Sequence, residues 1–171
     1  MRGGLLAGAV VALAAALLCF VACAGHPATV TRFDDARVEV RLSIEGTGSS
    51  RTVVAEFDPT DTTAHLYGME LPDGGIRGAG RPTRLVVIGG DWMPVGPVTA
   101  SVASKQVDLA GFDEPFPIYP DGPVTLRQAI EEVGDGPHDD PVGVKVTFMA
   151  CSGNGVCYAP IEDEALEAPV R

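Results

Sequence analysis

The sequence predicts an all-β fold, an antiparallel β-sandwich that follows an N-terminal signal segment. Two observations carry this. Apolar residues recur at every second position in several short runs, the period of a half-buried β-strand. Glycine, proline and aspartate separate the runs, as turns between strands require. At 171 residues the chain suits one domain.

The runs follow one another along the chain. Val38, Val40, Leu42 and Ile44 alternate with Glu39, Arg41 and Ser43, and Gly46 to Ser50 is a turn. Val53, Ala55 and Phe57 alternate with Val54 and Glu56 and stop at Asp58-Pro59. Ala64 to Tyr67 is a third strand, and Leu71 to Gly80 a loop. Arg84 to Ile88 is a strand broken by Gly89-Gly90, and Val98 to Ala103 is another. Thr125 to Glu132 stays open between two readings. Leu126, Ala129 and Ile130 suit a helical turn, whereas Val124, Leu126 and Ile130 suit a strand; the extended reading is preferred. Val142, Val144, Val146 and Phe148 alternate in a last clear strand.

The N-terminus bears on compartment. Arg2 is the only charged side chain before an apolar run from Leu5 through Ala22, the layout of an export signal. Small Ala22 precedes Cys23. This is similar to a bacterial lipoprotein signal, whose cysteine is acylated and becomes the new N-terminus, although Phe20 departs from the leucine usual there. An uncleaved anchor is the other reading, since about 20 apolar residues span a bilayer. Both readings place the domain outside the cytoplasm and tethered to the cell membrane. The expected division is a signal peptide over 1–22, a tether over 23–34 and the β-sandwich over 35–171.

Acidic residues number 23 against 12 basic ones, for a net charge of −11, and no Lys/Arg cluster is present. That excludes the electrostatic footprint of a nucleic-acid binder and of a protein held on anionic lipid by charge. The lipid on Cys23, and not the surface, is expected to hold the domain at the membrane.

Chemistry concentrates at Cys151 and Cys157, with Ser152-Gly153-Asn154-Gly155-Val156 between them. Asn-Gly beside strand residues is a strong hairpin signal, so the turn is expected at Asn154-Gly155, with Tyr158 onward as the return strand. A closed hairpin mouth brings the two cysteines within disulfide reach, and an even pair in an exported domain is expected to oxidise. Alternation puts Cys151 on the face of Lys145, Thr147 and Met149. The pair is therefore expected at the rim of the fold, accessible, as a redox couple or as a staple.

The segment TFMACSGNGVCYAP resembles the N-terminal, periplasmic domain of the DsbD thiol:disulfide interchange family. There a strand leads to a cysteine, a five-residue turn, a second cysteine, an aromatic and a proline, matched here by Cys151, Cys157, Tyr158 and Pro160. Ala159 departs, since a second proline is common. The resemblance spans roughly residues 35 to 170 and implies an immunoglobulin-like sandwich. It also implies that His65 and Tyr67 line the site. Asp113, Glu114 and an aromatic, Phe112 or Phe116, would belong to a cap loop shielding the cysteines. By the same resemblance Cys157 attacks partners and Cys151 resolves. Electrons would come from a membrane transporter of the DsbD or CcdA kind and go to an exported thioredoxin-like protein, in cytochrome c maturation or disulfide repair. The activity implied is of the protein-disulfide reductase type.

Two other functions compete. One is a lipid-anchored, non-catalytic β-sandwich that binds a protein and carries an inert disulfide. A seven-residue loop contributes only about 2.4 kcal/mol to such a staple. The other is Cu(I) binding by the cysteines with Met149, Met69 or Met93, all soft ligands. The methionines are scattered and suit core filling better, so no metal and no cofactor are expected.

Overall fold

The alternating run at Val38–Thr47 folds back on Ser50–Pro59, pairing Val40 with Phe57 and Leu42 with Ala55. Opposed residues in an antiparallel ladder share a face, so these four side chains converge and are fully buried. The computed structural model describes residues 31–134 and 140–170. In chain order its strands are β1 (Thr31–Asp35), β2 (Val38–Thr47), β3 (Ser50–Pro59), β4 (His65–Leu66), β5 (Arg84–Val87) and β6 (Trp92–Ala100). They continue as β7 (Lys105–Val107), β8 (Phe116–Ile118), β9 (Val124–Glu132), β10 (Val142–Phe148), β11 (Ala150–Cys151) and β12 (Ile161–Ala168). No helix occurs among the described residues. The segment expected to be a signal peptide, and Cys23, lie outside them.

Two layers face each other as an immunoglobulin-like sandwich. One sheet has the order β1-β2-β3-β9-β6 and the other β12-β10-β5, each with antiparallel neighbours. Val142, Val144, Val146 and Phe148 turn inward from β10, and Leu85 and Val87 from β5. Phe57 and Phe148 meet between the layers, ring centroids 5.7 Å apart at 67°. Two short pairs, β4 with β11 and β7 with β8, extend the fold on one side.

Several boundaries differ from those expected. β1 opens at Thr31, inside the segment expected to be a tether. Ala36 and Arg37, both at positive φ (49° and 62°), fold it onto β2 in a two-residue turn that lacks the Asn-Gly signal. The ambiguous Thr125–Glu132 stretch is a central strand, gripped by β3 and β6. Gln128 breaks its apolar alternation, yet Gln128 is buried. Its Nε2 donates to Val95 O at 3.0 Å and Gly96 O at 3.3 Å, where β6 bulges. That bulge, with Pro94, Gly96 and Pro97, hides the first half of β6 from a search for alternation.

Candidate redox site

Val142–Phe148 brings the chain to the small β11, where Ala150 pairs with Leu66 and Cys151 with His65. Cys157 returns opposite Cys151 on the other side. The result is one row, His65–Cys151–Cys157, across three adjacent strand segments, with side chains on one face. Cys151 and Cys157 are joined by a disulfide, Cα atoms 3.9 Å apart.

The turn that closes the row sits one residue earlier than expected. Gly155 N donates to Ser152 O at 2.9 Å, so Gly153 and Asn154 are its central residues. Gly155 follows in the left-handed region at φ +84°, and Ser152 N donates to Val156 O at 2.8 Å. This is the three-residue hairpin with a glycine bulge, not the two-residue Asn-Gly turn. Asn154 Oδ1 accepts from Val156 N at 3.1 Å and from the Ser152 hydroxyl, which locks the loop from inside.

The rim position expected of both cysteines describes only Cys157, which is exposed. Cys151 is 2% exposed. The alternation itself persists, since Ala150 joins the main core and Cys151 faces away from it. What covers Cys151 is a second apolar cluster of Tyr67, Leu71, Ile76, Phe116 and Ile118. Leu71 and Ile76 come from the loop after β4, and Phe116 and Ile118 from β8. A Cβ at Gly80 would lie 3.2 Å from the Tyr67 ring and 2.9 Å from Leu71, so glycine lets this loop close against the cluster.

Tyr67 is the polar member of the cluster. It is 4% exposed, and its hydroxyl lies 3.4 Å from Cys151 Sγ. Burial raises its pKa, which keeps the phenol protonated and able to donate. Its carbonyl accepts from Thr83 N at 3.1 Å and Thr83 Oγ1 at 2.7 Å, fixing the backbone. Phe116 is fully buried, with its ring centroid 5.8 Å from that of Tyr67. Phe112, half-buried, stands edge-on to Phe116 at 4.9 Å. Of the two candidate shielding aromatics, Phe116 is the one in the cysteine cluster, and Phe112 backs it.

Not every expected site residue joins this group. His65 does, through the row and through its ring, 6.2 Å from Tyr67. Burial lowers the His65 pKa, and the nearby Asp121 carboxylate offsets part of that. Asp113 and Glu114 are exposed, and none of the hydrogen bonds around the cysteines involves them. Tyr158 turns to the opposite face, packs against the main core and lies under Arg37, whose guanidinium is 6.0 Å from its ring centroid. Leu71, Ile76 and Asp121 were not readable as neighbours of the site, because only tertiary packing brings them there.

A hollow of about 360 Å³ lies elsewhere, on the outer face of β5, β10 and β12. It is lined by charged side chains, including the Arg84–Asp73 ion pair, and holds none of the cysteine cluster.

No protein-family model matches the sequence, and no curated protein is similar to it. Among solved structures the chain is similar to the DsbD N-terminal domain of Neisseria meningitidis in its reduced form. The identity is 15%, covering 78% of this chain and 86% of that one, with a TM-score of 0.47. It is also similar to the GAE domain of GGA2p from Saccharomyces cerevisiae. There the identity is 12%, covering 82% and 98% of the two chains, with a TM-score of 0.45. Neither likeness assigns a role to this chain.

Proposed function

We infer that the chain is a membrane-tethered, extracytoplasmic thiol–disulfide exchange module working through Cys151 and Cys157. The observation that carries this is the unequal placement of the two sulfurs. A partner's thiolate has access to exposed Cys157 and none to buried Cys151. Attack at Cys157 Sγ forms a mixed disulfide, breaks the Cys151–Cys157 bond and leaves the electron pair on Cys151 Sγ, beside the Tyr67 hydroxyl. The partner's second thiol then attacks the mixed disulfide and releases Cys157. The partner leaves oxidised and this chain leaves as a dithiol; the reverse sequence passes the electrons on.

The sequence resemblance around Cys151 and Cys157 supports the same reading and suggests the two ends of the relay. A membrane transporter of the DsbD or CcdA kind supplies electrons, and an exported thioredoxin-like protein receives them. Lipid on Cys23 keeps the module beside the transporter. Phe116, backed by Phe112, shields Cys151 and leaves Cys157 open to a partner.

The reduction potential of the full-length protein in detergent, read by alkylation in redox buffers, tests the reading. A value of roughly −180 to −270 mV belongs to exchanging couples, and Cys151→Ala then traps the partner on Cys157. A value below about −300 mV marks a structural bond and leaves a tethered binding domain.

A further inference from the structure

His65 takes no part in the bond exchange itself, yet it stands directly across the ladder from Cys151. Opposed residues on one face have Cβ atoms about 4.5–5.5 Å apart. The imidazole is held from two other sides. Its ring stands at 82° to that of Tyr67. Its Nδ1 lies 3.9 Å from Asp121 Oδ1, in the connection between β8 and β9. Gly122 N donates to Ala64 O at 3.2 Å and Tyr119 N to Leu66 O at 2.9 Å, which pins that connection against β4. The His65 side chain is 22% exposed, so water still reaches it.

We propose that His65, backed by Asp121, is a positioning residue that takes up a proton as the disulfide is reduced and holds the Cys151 thiolate as an imidazolium–thiolate pair. The proposal rests on the exchange reading above and adds a pH dependence to it. A thiolate enclosed by Leu71, Ile76, Phe116 and Ile118 is costly without a partner. A cation within about 4–6 Å favours the charged sulfur.

The charge balance follows from the chemistry. In the oxidised chain neither sulfur is charged, and burial favours neutral His65. When an external thiolate attacks Cys157, the S–S electron pair goes to Cys151. The solvent proton that neutralises it rests on His65. Tyr67, Asp121 and Cys151 face His65, and Cys157 follows Cys151 in the same row. Tyr67 stays protonated throughout, because burial raises its pKa. The coupling is reciprocal: a thiolate at Cys151 must raise the His65 pKa by as much as imidazolium lowers that of the thiol.

The experiment is a proton NMR titration of His65 in the full-length, detergent-solubilised protein, oxidised and then reduced by a phosphine. The resonance is assigned by its loss in His65→Phe. The expected result is a midpoint at clearly higher pH in the dithiol. Alkylation of Cys151 in Cys157→Ala at pH 7 should also slow about tenfold when His65 becomes Phe. An unmoved midpoint with an unchanged alkylation profile overturns the proposal, whether or not the couple exchanges. If the pair refuses exchange with a thioredoxin-like dithiol while the midpoint still moves, the relay reading fails and the His65–Cys151 coupling stands. Should His65→Phe not fold, Asp121→Asn serves, since Asp121 is 60% exposed. It should lower the His65 midpoint in both redox states, and no change there overturns the role given to Asp121.

Discussion

The Tyr67 hydroxyl lies 3.4 Å from Cys151 Sγ, across 84 residues of sequence. A buried phenol that stays protonated is a donor waiting for charge to appear on that sulfur. In the disulfide the contact is weak, because a neutral sulfur accepts poorly. Once the bond opens, the same contact becomes a hydrogen bond to an anion, worth about 1.5–3 kcal/mol.

Tyr67→Phe should therefore leave the oxidised fold within about 1 kcal/mol of the parent. It should slow reduction of the disulfide by a dithiol about tenfold or more. Stopped-flow fluorescence against denaturation of the oxidised protein separates the two effects. An unchanged reduction rate would mean that Tyr67 only fills space.

Phe116→Ala removes a fully buried ring from beside the pair and should cost about 3–5 kcal/mol. Phe112→Ala, at a half-buried position, should cost less. Both should speed alkylation of Cys151 in the reduced protein, Phe116→Ala more. Equal stabilities for the two variants in urea would contradict the difference in burial.

Gly155→Ala places a side chain where φ is +84°, with a cost of roughly 1–2 kcal/mol. The space around it is open, so the penalty is conformational and not steric. The disulfide should re-form more slowly from the dithiol, since the turn that aligns the cysteines is weakened. Air-oxidation kinetics of parent and variant measure this.

His65 gives the stability of the oxidised chain a pH dependence of known sign. Its folded pKa is lowered, mainly by burial, so the unfolded chain binds the proton more readily. Stability should fall as the pH drops below about 6.5, the unfolded histidine's value, and level off below the folded one. Thermal unfolding of parent and His65→Phe across pH 5 to 8 should show that part of the slope vanish in the variant. A parallel pair of curves would refute it.

Much of this architecture was legible in the residue order. Val38 to Ile44 and Val142 to Phe148 alternate because one face of each strand is buried and the other is wet, and that pattern alone assigns the all-β class. The spacing of Cys151 and Cys157 around a glycine-bearing turn likewise announced a local pairing, since a hairpin is built from neighbours in sequence.

Other features had no local signature. Ile161–Ala168 is rich in glutamate and alanine, so only its place after the cysteine hairpin marks it as the return strand, and β10 supplies its ladder. Gln128 could sit in a core file only where the bulge in β6 presents carbonyls to it.

The sequence by itself determined the fold class, the cysteine pair and the presence, though not the type, of a turn between them, because period-two burial and hairpin closure act over a few residues. Only the tertiary structure decided that Cys151 is buried and Cys157 exposed, that Phe116 and not Asp113 or Glu114 belongs to the site, and that Asp121 stands beside His65. Those outcomes depend on loops folding over an otherwise open sheet face, and they join positions as distant as Tyr67, Phe116 and Cys151.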